Sequence, residues 1–308
     1  MGLTEEENSR IGQEAPEGPA LMKQEEVERS IRKKFHKSLF TPFAKAINAY
    51  ELLQPGDRVA VCISGGKDSM LLAKLFQELK AHRKFDFGLE FICMDPGYLP
   101  GNRALIEENA AALGIPVTIF DSPIFDAVAD VGKSPCYLCA RMRRGYLYRK
   151  AQELGCNKIA LGHHYDDVIE TILMGMLYGG QVQTMMPKIR STNFEGMELI
   201  RPMYLVREED ILRFRDYHGL RFLQCACRFT EAAEKGVRLN EAANAGELSK
   251  RREIKHLIAE LKKINPYVES NIFKSVENVN LSTVIAYNQN GAVHPFTEWY
   301  GRTGEEDE

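Results

Sequence analysis

Residues Arg58-Val59-Ala60-Val61-Cys62-Ile63 form an apolar, β-favouring run that ends in Ser64-Gly65-Gly66-Lys67-Asp68-Ser69, and a helical pattern continues to Leu79. A strand, a glycine turn and a helix in that order leave little choice in how this part of the chain folds. Two glycines let the backbone approach an anion, the first helical amides lack partners within the helix, and the helix dipole favours negative charge there. Ser64 and Ser69 add hydroxyls, Lys67 supplies a counter-charge to phosphate, and Asp68 suits a magnesium ion. The stretch reads as a phosphate cradle. It lacks the G-x-x-x-x-G-K-[ST] spacing of a Walker A loop, which argues against a γ-phosphate site of the kinase or GTPase kind.

From Gly56 to about Phe229 strands and helices alternate, the pattern of an α/β, doubly wound parallel sheet. The spacing predicts strands at 58–63, 89–94, 117–120 and 158–161, with helices at 69–82, 102–113, 139–154, 166–178 and near 207–218. Ligands of such sheets lie beyond the carboxyl ends of the strands, where the strand order switches. Ser64 follows the first strand, Asp95 the second, and Gly162-His163-His164 the fourth, so one cleft is expected to gather them.

The flanks differ in character. Residues 1–20 are polar and without period, and are expected to be disordered. Residues 21–53 carry apolar positions about four apart, which predicts a helical extension with a break at Pro42. The nucleotide-binding domain is expected over 54–230, including a hairpin between Met186 and Pro202 that turns at Thr192–Gly196. Residues 231–308 are expected to be a helical extension, with one helix to Lys263, another from Asn265-Pro266-Tyr267 through Asn280, and a solvated acidic tail at Glu305–Glu308.

A net charge of −3 hides an uneven distribution: Arg29, Arg32, Lys33, Lys34 and Lys37 cluster in one stretch, and Arg141, Arg143, Arg144, Arg149 and Lys150 in another. Two basic patches on a mildly acidic chain fit a polyanion gripped locally. No apolar run has the length of a membrane span, the charged N-terminus does not read as a signal peptide, and Glu6 stands where a myristoylation motif needs Ser or Thr. The expected compartment is the cytoplasm.

Seven cysteines in a cytosolic chain speak against a disulfide framework. Cys62, Cys93 and Cys156 lie in or beside predicted strands and read as small buried hydrophobes. Cys136 and Cys139 fall one turn apart at a helix start, where the dipole and Arg141, Arg143 and Arg144 favour thiolates. A C-x-x-C pair alone is open to three readings: a redox dithiol, half of a zinc site, or two ligands of an iron–sulfur cluster. Cys225 and Cys227 are the available partners. Three thiolates on a cubane leave one iron open to sulfur or substrate.

Several stretches together resemble one family: Ser64 to Ser69, Cys136-Tyr137-Leu138-Cys139-Ala140-Arg141-Met142-Arg143-Arg144-Gly145, and Leu161-Gly162-His163-His164-Tyr165-Asp166-Asp167-Val168-Ile169-Glu170-Thr171. Tyr178-Gly179-Gly180, Met186-Pro187-Lys188, Arg201-Pro202 and Arg207-Glu208 extend the likeness. The S-G-G-x-D-S order is similar to the PP-loop of ATP pyrophosphatases, and the whole set resembles TtcA-type tRNA 2-thiocytidine synthetases, over about residues 35–280. The resemblance implies a Rossmann-like fold of the adenine nucleotide alpha hydrolase/PP-loop type. It also implies adenylation of the C2 oxygen of a tRNA cytidine, then replacement of AMP by sulfur through a [4Fe–4S] cluster.

Carried over, Ser64, Gly65, Gly66, Lys67, Asp68 and Ser69 would hold ATP, with Asp95, Gly162 and His163. Asp166 or Asp167 suits Mg²⁺, and Asp68, Asp167 and Arg143 are the expected catalytic residues. Arg143 and Arg144 have three open roles: binding RNA phosphate, stabilising a cluster-bound sulfide, or capping solvent. Cys136 and Cys139 would be two cluster ligands, and Cys225, which closes a predicted strand, is favoured over Cys227 as the third. In the family the third cysteine follows a proline in a C-x-x-C-like segment, whereas Gln224-Cys225-Ala226-Cys227-Arg228 has neither feature. The implied partners are tRNA and a cysteine desulfurase or other sulfur donor, with a homodimer compatible and no membrane. The rival readings are a PP-loop thiolase or desulfurase acting on another base such as uridine, a zinc-stabilised adenylating enzyme, and an iron–sulfur nucleotide-binding RNA regulator.

Overall fold

The computed structural model describes residues 24–124, 135–223 and 245–300, with side chains from 141 and 250 onward in the second and third stretches. The chain opens with α1 (Gln24–Arg32), a π-helical turn at His36–Phe40 and α2 (Thr41–Ala49). Val27, Ile31, Phe35, Leu39, Phe43 and Ile47 are all buried, at about 1.5–3 kcal/mol each for large apolar side chains. This four-residue apolar spacing holds the segment on the sheet. The break expected at Pro42 comes earlier, at residues 33–35. Pro42 instead lies in the first turn of α2, where a missing amide costs no helical bond.

There follow β1 (Arg58–Ile63), α3 (Lys67–Ala81), β2 (Gly88–Asp95), α4 (Pro100–Ala112), β3 (Val117–Asp121), α5 (Pro135–Glu153), β4 (Lys158–Ala160) and α6 (Tyr165–Gly179). Next come β5 (Lys188–Arg190), β6 (Glu198–Ile200) and α7 (Glu208–Tyr217). The six strands form one sheet in the order β3-β2-β1-β4-β6-β5. All neighbours are parallel except β5, which returns antiparallel to β6 as the expected hairpin. β1 is buried at every position after Arg58, as a central parallel strand covered on both faces must be. Val59, Val61 and Ile63 pack into the core shared with α3 and the N-terminal helices, whereas Ala60 and Cys62 pack with Tyr148, Ala151 and Ile159 on the α5 side.

Helix starts account for most of the differences from the sequence reading. α3 begins at Lys67 with Gly66 as its N-cap, so the helix starts inside the motif. α4 begins at Pro100, where proline's fixed φ suits a first turn. Cys62, Cys93 and Cys156 are free and buried. Burial pushes all three thiols up, Cys93 to about 12 and Cys156 to about 11, which keeps them protonated and inert.

A buried ammonium ties the N-terminal helices to the domain. Lys74 of α3 is 1% exposed and donates to Glu28 Oε1 of α1 (2.9 Å) and to the Leu113 carbonyl (2.8 Å). Burial without those two acceptors would be costly, so α1, α3 and the end of α4 are held as a set.

The described residues fall into two units, one from residues up to Val168 together with Met186–Lys250, the other from Ile169–Met185 with Arg251 onward. The second contains α8 (Ala245–Ile264) from Arg251, α9 (Val268–Ser275), and a hairpin of β7 (Ala286–Gln289) and β8 (Ala292–Pro295). The expected helix through Asn280 ends at Ser275, and the hairpin was not foreseen. Its turn is Asn290-Gly291 with both φ positive, 52° and 81°, the dipeptide that favours a tight hairpin turn. The tails 1–20 and 305–308 and the third-cysteine segment lie outside the described residues. Among those described, no helix is long and apolar enough to cross a membrane.

Candidate active site

The strand order reverses between β1 and β4, and both strands point their carboxyl ends the same way. The phosphate loop leaves β1 there, and Gly162-His163-His164 leaves β4. Gly65 adopts φ +82°, and a Cβ on it would lie 2.6 Å from Ile106 Cγ1 and 2.9 Å from Leu223 Cδ1. Glycine is required there on both counts. The turn is tied by Ser69, whose hydroxyl donates to the Gly66 carbonyl (3.0 Å) and accepts from the amide (3.1 Å) and hydroxyl (3.2 Å) of Ser64. The loop is thus held in shape by its own hydroxyls, with the amide ends of α3 at its mouth.

Lys67 Nζ lies 3.0 Å from Asp68 Oδ2 and 3.3 Å from Glu208 Oε1. The other oxygen of Asp68, Oδ1, is shut off from solvent and accepts no hydrogen bond. Its polar neighbour is His164 Nε2 at 3.8 Å. His164 Nε2 is also 3.5 Å from Asp167 Oδ2, which in turn accepts the His164 amide at 3.0 Å. That last bond is the backward half of a capping box, with Asp167 in the third position of α6. Asp166 accepts the Glu208 amide (2.7 Å) and pairs with Arg207 (3.3 Å).

Gly162 brings the two loops together. A Cβ there would be 3.1 Å from both the Asp68 carbonyl carbon and the Ser69 amide nitrogen. His163 follows, with Nδ1 accepting from Arg201 Nε at 3.3 Å. Arg144 of α5 is near enough to act on Arg201 electrostatically: burial first, and then the Arg144 charge, depress the Arg201 guanidinium. Arg143, on the same helix, is half-buried.

Asp95 ends β2 but turns its carboxylate inward. Oδ1 accepts the amides of Gly97 (2.8 Å) and Tyr98 (2.6 Å), and Oδ2 pairs with Arg103 (3.1 Å), which also reaches Asp121 (2.7 Å). The residue shapes the turn after β2. Cys136 and Cys139 lie in the first turns of α5, whose start is at the carboxyl end of the sheet. Cys225 lies outside the described residues. Leu223, however, donates its amide to the Gly65 carbonyl at 3.3 Å, and two further residues span at most about 7 Å.

The contacts that reading the motifs missed are those made by Arg201, Glu208 and Arg103. Arg201 and Glu208 stand in stretches that extend the family likeness and Arg103 does not, but the partner of each is fixed only when distant segments meet. A cavity of about 780 Å³ lined by Phe40, Ile47, Leu79, His82 and Phe85 lies at the other end of α3, about 22 Å away by helix rise, and is not part of this cleft. Among the described residues no three His, Cys, Asp or Glu side chains are arranged as a metal site.

Residues 31–227 match the PP-loop domain family. The chain is 38% identical over 198 residues to a protein of Neisseria meningitidis serogroup C named tRNA-cytidine(32) 2-sulfurtransferase, covering 62% of this chain and 61% of that one. A Pelobacter propionicus protein of the same name is 35% identical over 240 residues, covering 77% of this chain and 83% of its own length. The U34-tRNA thiolase NcsA from Methanococcus maripaludis, solved with its [4Fe–4S] cluster, superposes with a TM-score of 0.57 over 77% of this chain and 76% of that one, at 21% identity. That likeness is one of fold. By the family match and by the coverage of the Pelobacter relative, the chain belongs to the PP-loop family, in the branch of the proteins named tRNA-cytidine(32) 2-sulfurtransferase.

Proposed function

We propose that this chain is an ATP-dependent tRNA sulfurtransferase that adenylates the C2 oxygen of a cytidine and replaces that oxygen with sulfur. The observation that carries the reading is the junction of Gly65, Gly162 and Asp68, an anion cradle at the switch between β1 and β4. The family's name for its relatives supplies the substrate class.

ATP enters with its β and γ phosphates on the loop, where the α3 amides, Ser64 and Lys67 offset their charge. The cytidine O2 attacks the α-phosphorus, the bond from that phosphorus to the bridging oxygen breaks, and pyrophosphate leaves with the loop's donors around it. A sulfide-level nucleophile then adds at C2 and AMP departs carrying the former O2; where the donor is the persulfide of a cysteine desulfurase, its terminal sulfur adds at C2 and a second thiol cleaves the S–S bond, ending as a disulfide. The target base must leave its stack to reach the cleft. Arg143 and Arg144 are suited to steady RNA phosphate or anionic sulfur. The reaction on tRNA belongs in the cytoplasm.

Two further groups fit the residues. The sealed, unpartnered Asp68 Oδ1, with Asp167 nearby, offers the hard oxygens that Mg²⁺ prefers. Cys136 and Cys139, in the first turns of α5, and Cys225 would be the three soft thiolate ligands. When bound by three cysteines, a [4Fe–4S] cluster supplies an open iron at which sulfur can be carried.

The test is tRNA-dependent release of pyrophosphate from ATP, followed by mass spectrometry of the digested tRNA. Both pyrophosphate release and 2-thiocytidine are expected. A thiolated uridine in place of cytidine would move the substrate, and pyrophosphate release indifferent to tRNA would sink the reading.

A further inference from the structure

Arg201 is 8% exposed and held from three sides. Its amide donates to the Pro187 carbonyl (2.9 Å), Nη1 donates to the Met186 carbonyl, and Nε donates to His163 Nδ1. A guanidinium has donors only and stays protonated in a folded protein. Nδ1 of His163 therefore presents its lone pair, because a proton there would set N–H against N–H. The neutral ring then carries its hydrogen on Nε2. Gly162, pressed against the backbone of Asp68 and Ser69, sets the residue that follows it beside the first turn of α3.

We propose that Arg201 fixes His163 as the Nε2–H tautomer, so that His163 donates a hydrogen bond to an anionic oxygen of the bound nucleotide and Arg201 is its positioning residue. The inference rests on reading the cleft as an ATP site, and it deepens that reading: a ring so held is a donor and does not take a proton at Nε2. Arg201 itself makes no contact with the nucleotide; it sets the orientation and tautomer of the ring that does.

The tautomer is read from protein carrying ¹⁵N-labelled histidine, by long-range proton–nitrogen correlation, with His163 assigned by its disappearance in His163→Gln. Nδ1 is expected as the unprotonated nitrogen and Nε2 as the protonated one, and in Arg201→Met the pattern is expected to shift toward Nδ1–H. A protonated Nδ1 in the wild type would overturn the proposal whether or not Arg201→Met folds. Affinity for α,β-methylene-ATP supplies the second readout. A glutamine amide reaches the Nε2 position and an asparagine amide the Nδ1 position, so His163→Gln is expected within about threefold of wild type and His163→Asn about tenfold weaker. Equal losses, or the reverse order, would overturn the donor role. Wild-type protein that binds no analogue would overturn the ATP reading itself, while the spectrum would still decide the Arg201–His163 tautomer.

Discussion

Glu208, the first residue of α7, places Oε1 3.3 Å from Nζ of Lys67, the first residue of α3, and Asp68 holds the same ammonium at 3.0 Å. Two carboxylates thus occupy the lysine that a polyphosphate would also seek. Replacing Glu208 with Gln removes one competitor and should tighten inorganic pyrophosphate by about fivefold, roughly 1 kcal/mol for a partly exposed pair. Lys67→Met should weaken it. Titration calorimetry in magnesium-free buffer measures both, and weaker binding by Glu208→Gln would mean that the carboxylate positions the lysine.

The adjacent glycines of the loop are not equivalent. Gly65 has positive φ and no room, whereas Gly66 has φ −82° and would place a Cβ no nearer than 3.6 Å to its neighbours. Gly65→Ala should cost about 1–3 kcal/mol in urea unfolding, and Gly66→Ala should leave the midpoint near that of wild type. Gly162→Ala should displace the α3 turn and weaken ATP, read by the same binding assay.

His218 is 1% exposed and meets Ser30 Oγ at 2.7 Å. The Ser30 hydroxyl gives its proton to the Val27 carbonyl, so His218 Nε2–H is the donor of the pair. Burial pushes the imidazole down to about 4 from its usual 6.5. The unfolded chain takes up that proton near pH 6.5 and the folded one only near pH 4. Stability should therefore be fully present above pH 6.5 and fall as pH drops toward 4, by up to about 3 kcal/mol. Urea midpoints from pH 4.5 to 7.5 check this, and His218→Gln should flatten the profile.

Leu223 is bonded to Gly65 two positions before Cys225. On that ground Cys225→Ala should cost the anaerobically purified protein its iron and acid-labile sulfide, as Cys136→Ala and Cys139→Ala should, while Cys227→Ala keeps them. Iron analysis with the visible spectrum of each variant decides it. Zinc in place of iron would remove the cluster role and leave the nucleotide site untouched.

The parallel core was legible because β1 and β2 are apolar along most of their length and the glycine turn between strand and helix has few solutions. The approach of Gly162 to Asp68 was legible only as a coincidence of motifs at strand ends. Pairs such as Arg201–His163 and Lys67–Glu208 were not, since nothing local marks a charged residue that finds its partner across 38 or 141 positions. Asp95 stands in the expected place, and its further contacts, with the backbone turn after β2 and with Arg103, were not marked in the sequence. The β7–β8 hairpin had its Asn-Gly signal in plain view, ten residues past the end of the last helix expected from the sequence.

The three core thiols have a practical consequence for anyone counting sulfur in this protein. Cys62, Cys93 and Cys156 are buried and protonated, so on the native fold they are shielded from a thiol-directed reagent. Alkylation under native conditions therefore reports on the other four, Cys136, Cys139, Cys225 and Cys227. Protection of three of those four on loading with iron and sulfide would identify the ligands chemically, without crystals and without a turnover assay.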